Sequence, residues 1–169
     1  MLTARARRLV VLALIPISLS AASCDPLFKA QAERMGVTVN EDGVPVIVAV
    51  PCPNERVATM ELLDAESVLE GTPITYWRVR SDQAVVGKTY MVPINNQPPA
   101  AFDLVVRLEG DLPADIPLGA DVRTLTNEGD HMGAAREFQI EELGVGEVLA
   151  RGGQLVSFDE FMTSARDAC

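Results

Sequence analysis

The sequence predicts an all-β domain, an antiparallel β-sandwich of about seven to nine strands closed by one short C-terminal helix. Three observations carry this reading. Short segments rich in β-branched and aromatic residues alternate apolar and polar positions with a period of two. Clusters of Gly, Pro, Asn and Asp punctuate them, at 95–99, 110–113 and 127–130. A helical period of three and four appears clearly in one place, residues 157–165, next to the C-terminus. Many short strands with such punctuation build a sandwich or barrel, and the sandwich is the expectation.

Along the chain, 25–36 holds Phe28, Ala32 and Met35 at helical spacing, which fits a turn or two of helix or a spacer before the domain. From Val37 the pattern changes. Val37-Thr38-Val39, a turn at 40–43 ending in Gly43, and Val44 to Val50 read as a hairpin. Its second strand is apolar on both sides (Val46, Val48 and Val50 against Ile47 and Ala49), so it is expected inside a sheet rather than at an edge. Ala58, Met60 and Leu62 share one face of the next strand. In Thr75 to Arg80 the arginines fall with Tyr76, leaving Trp77 and Val79 for the core. Residues 85–94 form a further segment broken by Gly87, and Phe102, Leu104, Val106 and Leu108 give the most regular alternation in the chain. Strands are expected at 122–126 and 136–140, with a last hairpin from 148–150 and 154–156 around Arg151-Gly152-Gly153. Ser157 followed three residues later by Glu160 is a capping box, Val156 can staple to Phe161, and Phe158, Phe161, Met162 and Ala165 form one helical face. That face is expected against the core, with a partner-binding stripe as the alternative.

The first 23 residues are of a different kind. A basic start (Arg5, Arg7, Arg8) leads into an apolar run from Leu9 to Ala22 that is too short to span a bilayer and contains Pro16. This is the pattern of a secretory signal. The small residues Ala21-Ala22-Ser23 run directly into Cys24, and this resembles the lipobox of bacterial lipoproteins, although Ala21 stands where that family usually has Leu, Val or Ile. The resemblance covers about the first 25 residues. It implies transfer of a diacylglyceryl group to the Cys24 sulfur and cleavage before that residue, leaving a lipidated N-terminus with palmitate among its chains, so that the protein is held at the extracytoplasmic face of the cell membrane. Cleavage after Ala22 by the ordinary signal peptidase would instead give a secreted protein, an uncleaved anchor is a further alternative, and Arg7-Arg8 raises the twin-arginine export route. The Cys24-Asp25-Pro26 start and the Ala, Val and Arg usage are similar in composition to small lipoproteins of actinobacteria. The domain plan is then 1–23 signal peptide, 24–36 lipid-anchored tether and 37–169 β-sandwich.

The resemblance also bears on the three cysteines. Export implies an oxidising compartment, where an odd thiol asks for an explanation. With Cys24 acylated the remainder is even, and Cys52 can pair with Cys169; the alternative is two separate thiols. Immunoglobulin domains also combine a core tryptophan with a disulfide, and the expected sandwich is immunoglobulin-like in general architecture, with its cysteines much farther apart in sequence.

Loss of Arg5, Arg7 and Arg8 with the signal leaves 11 of 14 basic residues against all 24 acids, a formal balance of −13. That argues against nucleic acid, which needs clustered Lys and Arg, and describes a solvated acidic surface. His131 is the single histidine, in a polar stretch, and a hydrolase role for it would require a nearby acid and nucleophile. The pairs Asp111 with Asp115 and Asp64 with Glu66 are short of a calcium loop, whose Asp-x-Asp-x-Asp-Gly pattern is absent from the sequence. Pairing of Cys52 with Cys169 leaves no histidine-and-cysteine zinc site, and the sequence carries no phosphate-binding glycine loop. Trp77 with Tyr76, Arg78 and Arg80 is either a ligand platform or a core tryptophan flanked by solvent-facing arginines. No catalytic residue, metal or cofactor is therefore expected. The expected function is that of a cell-envelope lipoprotein with a non-catalytic domain that binds a protein or small molecule. The alternatives are a secreted or tethered hydrolase using carboxylates or the His131 loop, and a structural part of an envelope assembly.

Overall fold

The computed structural model describes residues 33–129 and 131–169; the side chains of His131, Met132 and Arg151 lie outside the description, as do the signal segment, Cys24 and most of the expected tether. Two five-stranded antiparallel sheets pack face to face. Sheet A has the order β10-β9-β1-β2-β5 and sheet B the order β6-β4-β3-β7-β8. The strands of sheet A are β1 (Met35–Val39), β2 (Pro45–Ala49), β5 (Tyr90–Pro93), β9 (Glu147–Ala150) and β10 (Gln154–Ser157). Those of sheet B are β3 (Glu55–Asp64), β4 (Thr75–Arg80), β6 (Asp103–Val106), β7 (Leu118–Thr126) and β8 (His131–Phe138). A five-residue helix α1 (Ala65–Leu69) follows β3, and α2 (Phe158–Asp167) follows β10. The expected all-β sandwich with one C-terminal helix is what forms.

Ten strands exceed the expected seven to nine because even the shortest segments find partners. In β10, for example, Leu155 pairs with Leu149 and Val156 with Val148. Several limits move, each for a local reason. The domain starts before residue 37: Arg34 is buried and Met35 opens β1 with its side chain in the core. The segment from Val85 shrinks to β5 because Gly87 takes φ +70° and its N–H bonds to Glu55 O across the fold at 2.8 Å. The alternating 102–108 run yields only the edge strand β6, since Leu108 is paired with a side chain: Asn96 Oδ1 accepts from its N–H and Asn96 Nδ2 donates to its carbonyl. Upstream, β7 and β8 extend farther than expected, because Leu118 and Ala120 continue the inward face beside Phe138 and Ala134. The β1–β2 turn is as expected. Asn40 Oδ1 accepts from the N–H groups of Asp42 and Val44, and Gly43 supplies φ +77°.

Between the sheets lie Met35, Val37, Ile47, Ala49 and Val92 from sheet A and Val57, Met60, Leu62, Trp77, Val79, Val122 and Phe138 from sheet B. The opposite face of sheet A is also apolar, and α2 covers it. Val48, Val50 and Val148 pack there against Phe161, Met162 and Ala165, with Val156 and Phe158 at the margin. The helical stripe is thus core-facing. Ser157 Oγ accepts from Glu160 N–H at 3.2 Å, which caps the helix, and Asp159 and Glu160 suit its positive end. Cys169, just beyond α2, is bonded to Cys52 in the β2–β3 connection, a separation of 117 residues.

Gly36 permits the close approach of α2. A Cβ there would overlap Val148 Cγ1 and lie 3.2 Å from the Phe161 ring. Gly36→Val should therefore lower stability by about 1–3 kcal/mol through overpacking, read as a fall in urea midpoint with unchanged m. Replacing both Cys52 and Cys169 with serine should cost about 5 kcal/mol, the chain-entropy scale for so long a loop, and an unchanged midpoint would contradict it.

Candidate functional site

Among the described residues, two buried charged clusters and an exposed apolar tip are features from which a site could be built. The first cluster sits where β1 begins and β3 begins. Arg34 Nη1 donates to Glu55 Oε2 at 2.6 Å, with both side chains at most 7% exposed. Glu55 Oε2 also accepts from Thr124 Oγ1 at 3.2 Å and from Cys52 N–H at 3.3 Å. The same Arg34 Nη1 lies 2.9 Å from Cys52 Sγ. A carboxylate so supplied with donors is a satisfied structural ion, and breaking one partner of such a pair is costly.

The second cluster lies on the face of sheet B turned away from sheet A. Strand alternation sends Met60, Leu62, Trp77 and Val122 inward, so Glu61, Arg78, Asp121 and Arg123 project to the other side. Glu61 is nonetheless only 4% exposed, because arginines from both neighbouring strands close over it. Arg78 Nε donates to Glu61 Oε2 at 2.6 Å, and Arg123 Nη2 approaches Glu61 Oε1 at 3.6 Å. Asp121 stands directly opposite Glu61 in the β3–β7 ladder, with Arg123 Nε 3.5 Å from its Oδ1. Burial pushes the Asp121 carboxyl above its ordinary value; the Arg123 charge opposes this and the Glu61 charge adds to it. Nearby, burial raises the Tyr76 phenol, helped by the Asp64 carboxylate that accepts from its hydroxyl at 3.4 Å.

The Trp77 cluster resolves into structure. Trp77 is fully buried and its Nε1 donates to Asn95 O at 2.8 Å, while Arg78 serves Glu61 and Arg80 pairs with Asp82 on the surface. Of the acidic pairs, Asp64 caps α1 by accepting from Ser67 N–H at 3.0 Å, and Glu66 is exposed in the first turn. Among the described residues, no three His, Cys, Asp or Glu side chains converge as metal ligands. His131 opens β8 opposite Leu125, and its side chain lies outside the described set. Cys52 and Cys169 are joined as expected, and Cys24 lies outside the described residues.

The alternation of the strands does not announce the apolar tip. Val68, Leu69 and Ile74 are exposed around α1, Leu69 at 88%, with Glu66 and Glu70 beside them. It stands at the far end of the sandwich from Arg34, Glu55 and the disulfide, because the ten-residue β3 carries the chain roughly 30 Å between them. Nothing in the alternation of strands marks a turn as apolar; the cue was the Val68-Leu69 pair followed by Ile74 within a short connection, where exposure is the rule.

No protein-family model, no curated protein and no solved structure matches this chain.

The raised Asp121 carboxyl has a pH signature. The folded state holds its proton more tightly than the unfolded state, so stability falls as pH rises through the window that starts at the ordinary carboxylate value. Asp121→Asn lacks that dependence. Urea midpoints from pH 4 to pH 7 should show the wild type losing stability relative to the variant as pH rises, and parallel curves would show that Asp121 is not perturbed.

Proposed function

We propose that this chain is a cell-envelope lipoprotein, anchored at the extracytoplasmic face of the membrane through acyl chains on Cys24, whose β-sandwich is a non-catalytic interaction domain. The observation that carries this reading is the partition of the cysteines. Cys52 and Cys169 satisfy one another, so Cys24 is the one cysteine outside that bond, directly after a signal-like segment. Two acyl chains suffice for stable anchoring without a spanning helix. A non-catalytic role is supported by Glu55 and Glu61, the two buried carboxylates among the described residues, each of which is engaged by an arginine and closed off from a substrate.

The described chain enters at the Arg34 end, which a tether would bring toward the bilayer, and the α1 tip then points away from it. An apolar tip beside Glu66 and Glu70 suits a protein partner with an apolar patch bordered by cationic residues. A secreted, unanchored form of the same domain is the competing outcome. Fractionation of cells producing Cys24→Ser decides between them. That variant should accumulate unprocessed or appear in the soluble fraction, whereas a variant remaining in the membrane fraction at the mature size would refute the anchor.

A further inference from the structure

We propose that Cys169 is a thiol-modification site: a small thiol attacks its Sγ within the Cys52–Cys169 bond and expels Cys52 as the leaving thiolate. The inference is independent of the anchor and rests on the unlike surroundings of the two sulfurs. Cys169 is the exposed residue of the pair, one position beyond the C-cap of α2, with its sulfur 4.0 Å from Ala165 O, and is the more open of the two to a solution thiol. Cys52 is half-buried between Pro51 and Pro53, with the Arg34 guanidinium Nη1 at 2.9 Å from its sulfur. Thiol–disulfide exchange favours attack at the accessible sulfur and departure of the sulfur whose thiolate is better stabilised. Both preferences select the same direction.

The charged groups packed against Cys52 act in opposition. Glu55 disfavours a neighbouring thiolate, but its Oε2 already accepts from Arg34, Thr124 and the Cys52 N–H, which spreads its charge over three donors. Arg34 has a second N–H on the same nitrogen and directs it at sulfur. In the first step the incoming thiolate forms a bond to Cys169 Sγ, the Cys52–Cys169 bond breaks, and the electron pair moves to Cys52 Sγ beside Arg34. In the second step another thiol attacks the external sulfur of the mixed disulfide. Cys169 leaves as thiolate and takes a proton from water, and the two small thiols end as their own disulfide. The protein gains two electrons and the thiols lose two. Opening this bond removes the covalent clamp on α2, which is then held by the burial of Phe161, Met162 and Ala165 with Phe158 at their margin.

The test uses the oxidised full-length chain, exposed briefly to excess glutathione, quenched in acid, alkylated and mapped by mass spectrometry; mapping distinguishes Cys24 from the other two. Glutathione should be found on Cys169, with Cys52 alkylated, at least about tenfold more often than the reverse, a preference on the scale of one decade in exchange rate. Equal adducts, or a majority on Cys52, would overturn the proposal. In the fully reduced protein, alkylation rate against pH should show Cys52 ionising below the ordinary thiol value of about 8.5, and ionisation at or above it would equally sink the idea. Arg34→Met, where it folds, should level the adduct ratio; a folded variant that keeps the wild-type ratio counts against Arg34. Should it not fold, the two wild-type measurements decide alone.

Discussion

Strand β2 has apolar side chains on both faces, and a two-layer sandwich can bury only one of them. Ile47 and Ala49 face sheet B, while Val48 and Val50 face the other way and would lie open to water without α2. The helix therefore completes sheet A. At about 25 cal/mol for each Å² removed from water, burying Phe161 and Met162 contributes several kcal/mol, enough to order a ten-residue helix that would be marginal alone. Gly36 follows from the same demand, since a side chain on β1 would hold the helix off the sheet. The Cys52–Cys169 bond then fixes the end of α2 to the connection that leaves β2.

Charge is arranged with similar economy. The chain has ten more acidic than basic residues, yet the two most deeply buried acids among the described residues are both matched to arginines from other strands or from the start of the domain. Each pairing joins elements that are distant in sequence: Arg34 with Glu55, and Glu61 with Arg78 and Arg123. Such ion pairs add little to net stability compared with a well-packed apolar substitute, but losing one member leaves a buried charge uncompensated. The Arg34–Glu55 pair ties the start of β1 in sheet A to β3 in sheet B, whereas the Glu61 cluster ties three neighbouring strands within sheet B. We note that Arg136 performs a related task with a carbonyl, donating to Ala150 O at 2.7 Å across to sheet A.

The strands were legible because their information is local. Alternation in 75–80 places Trp77 and Val79 inward before any partner is known, and the Ser157–Glu160 cap marks a helix start within four residues. What was missed is non-local. Arg34 sat in a stretch that read as spacer, and only Glu55, 21 positions later, explains its burial. Glu61 alternates as a solvent-facing residue should, and it does project outward; its burial is made by two arginines on separate strands. Gly87 was recognised as a break, but its left-handed backbone and its bond to Glu55 decide how much of 85–94 is lost. The pairing of Cys52 with Cys169 followed only from the lipoprotein resemblance, which takes Cys24 out of the count and uses no geometry at all.

The entry of the chain at β1 also has a mechanical meaning. β1 is the middle strand of sheet A, with β2 on one side and β9 on the other. A pull applied at Glu33 and resisted at the α1 end acts along the strand axis, so the β1–β2 ladder is loaded in shear and its hydrogen bonds must fail together instead of unzipping singly. A domain pulled through this inner strand resists force better than one pulled through a strand at the edge of its sheet.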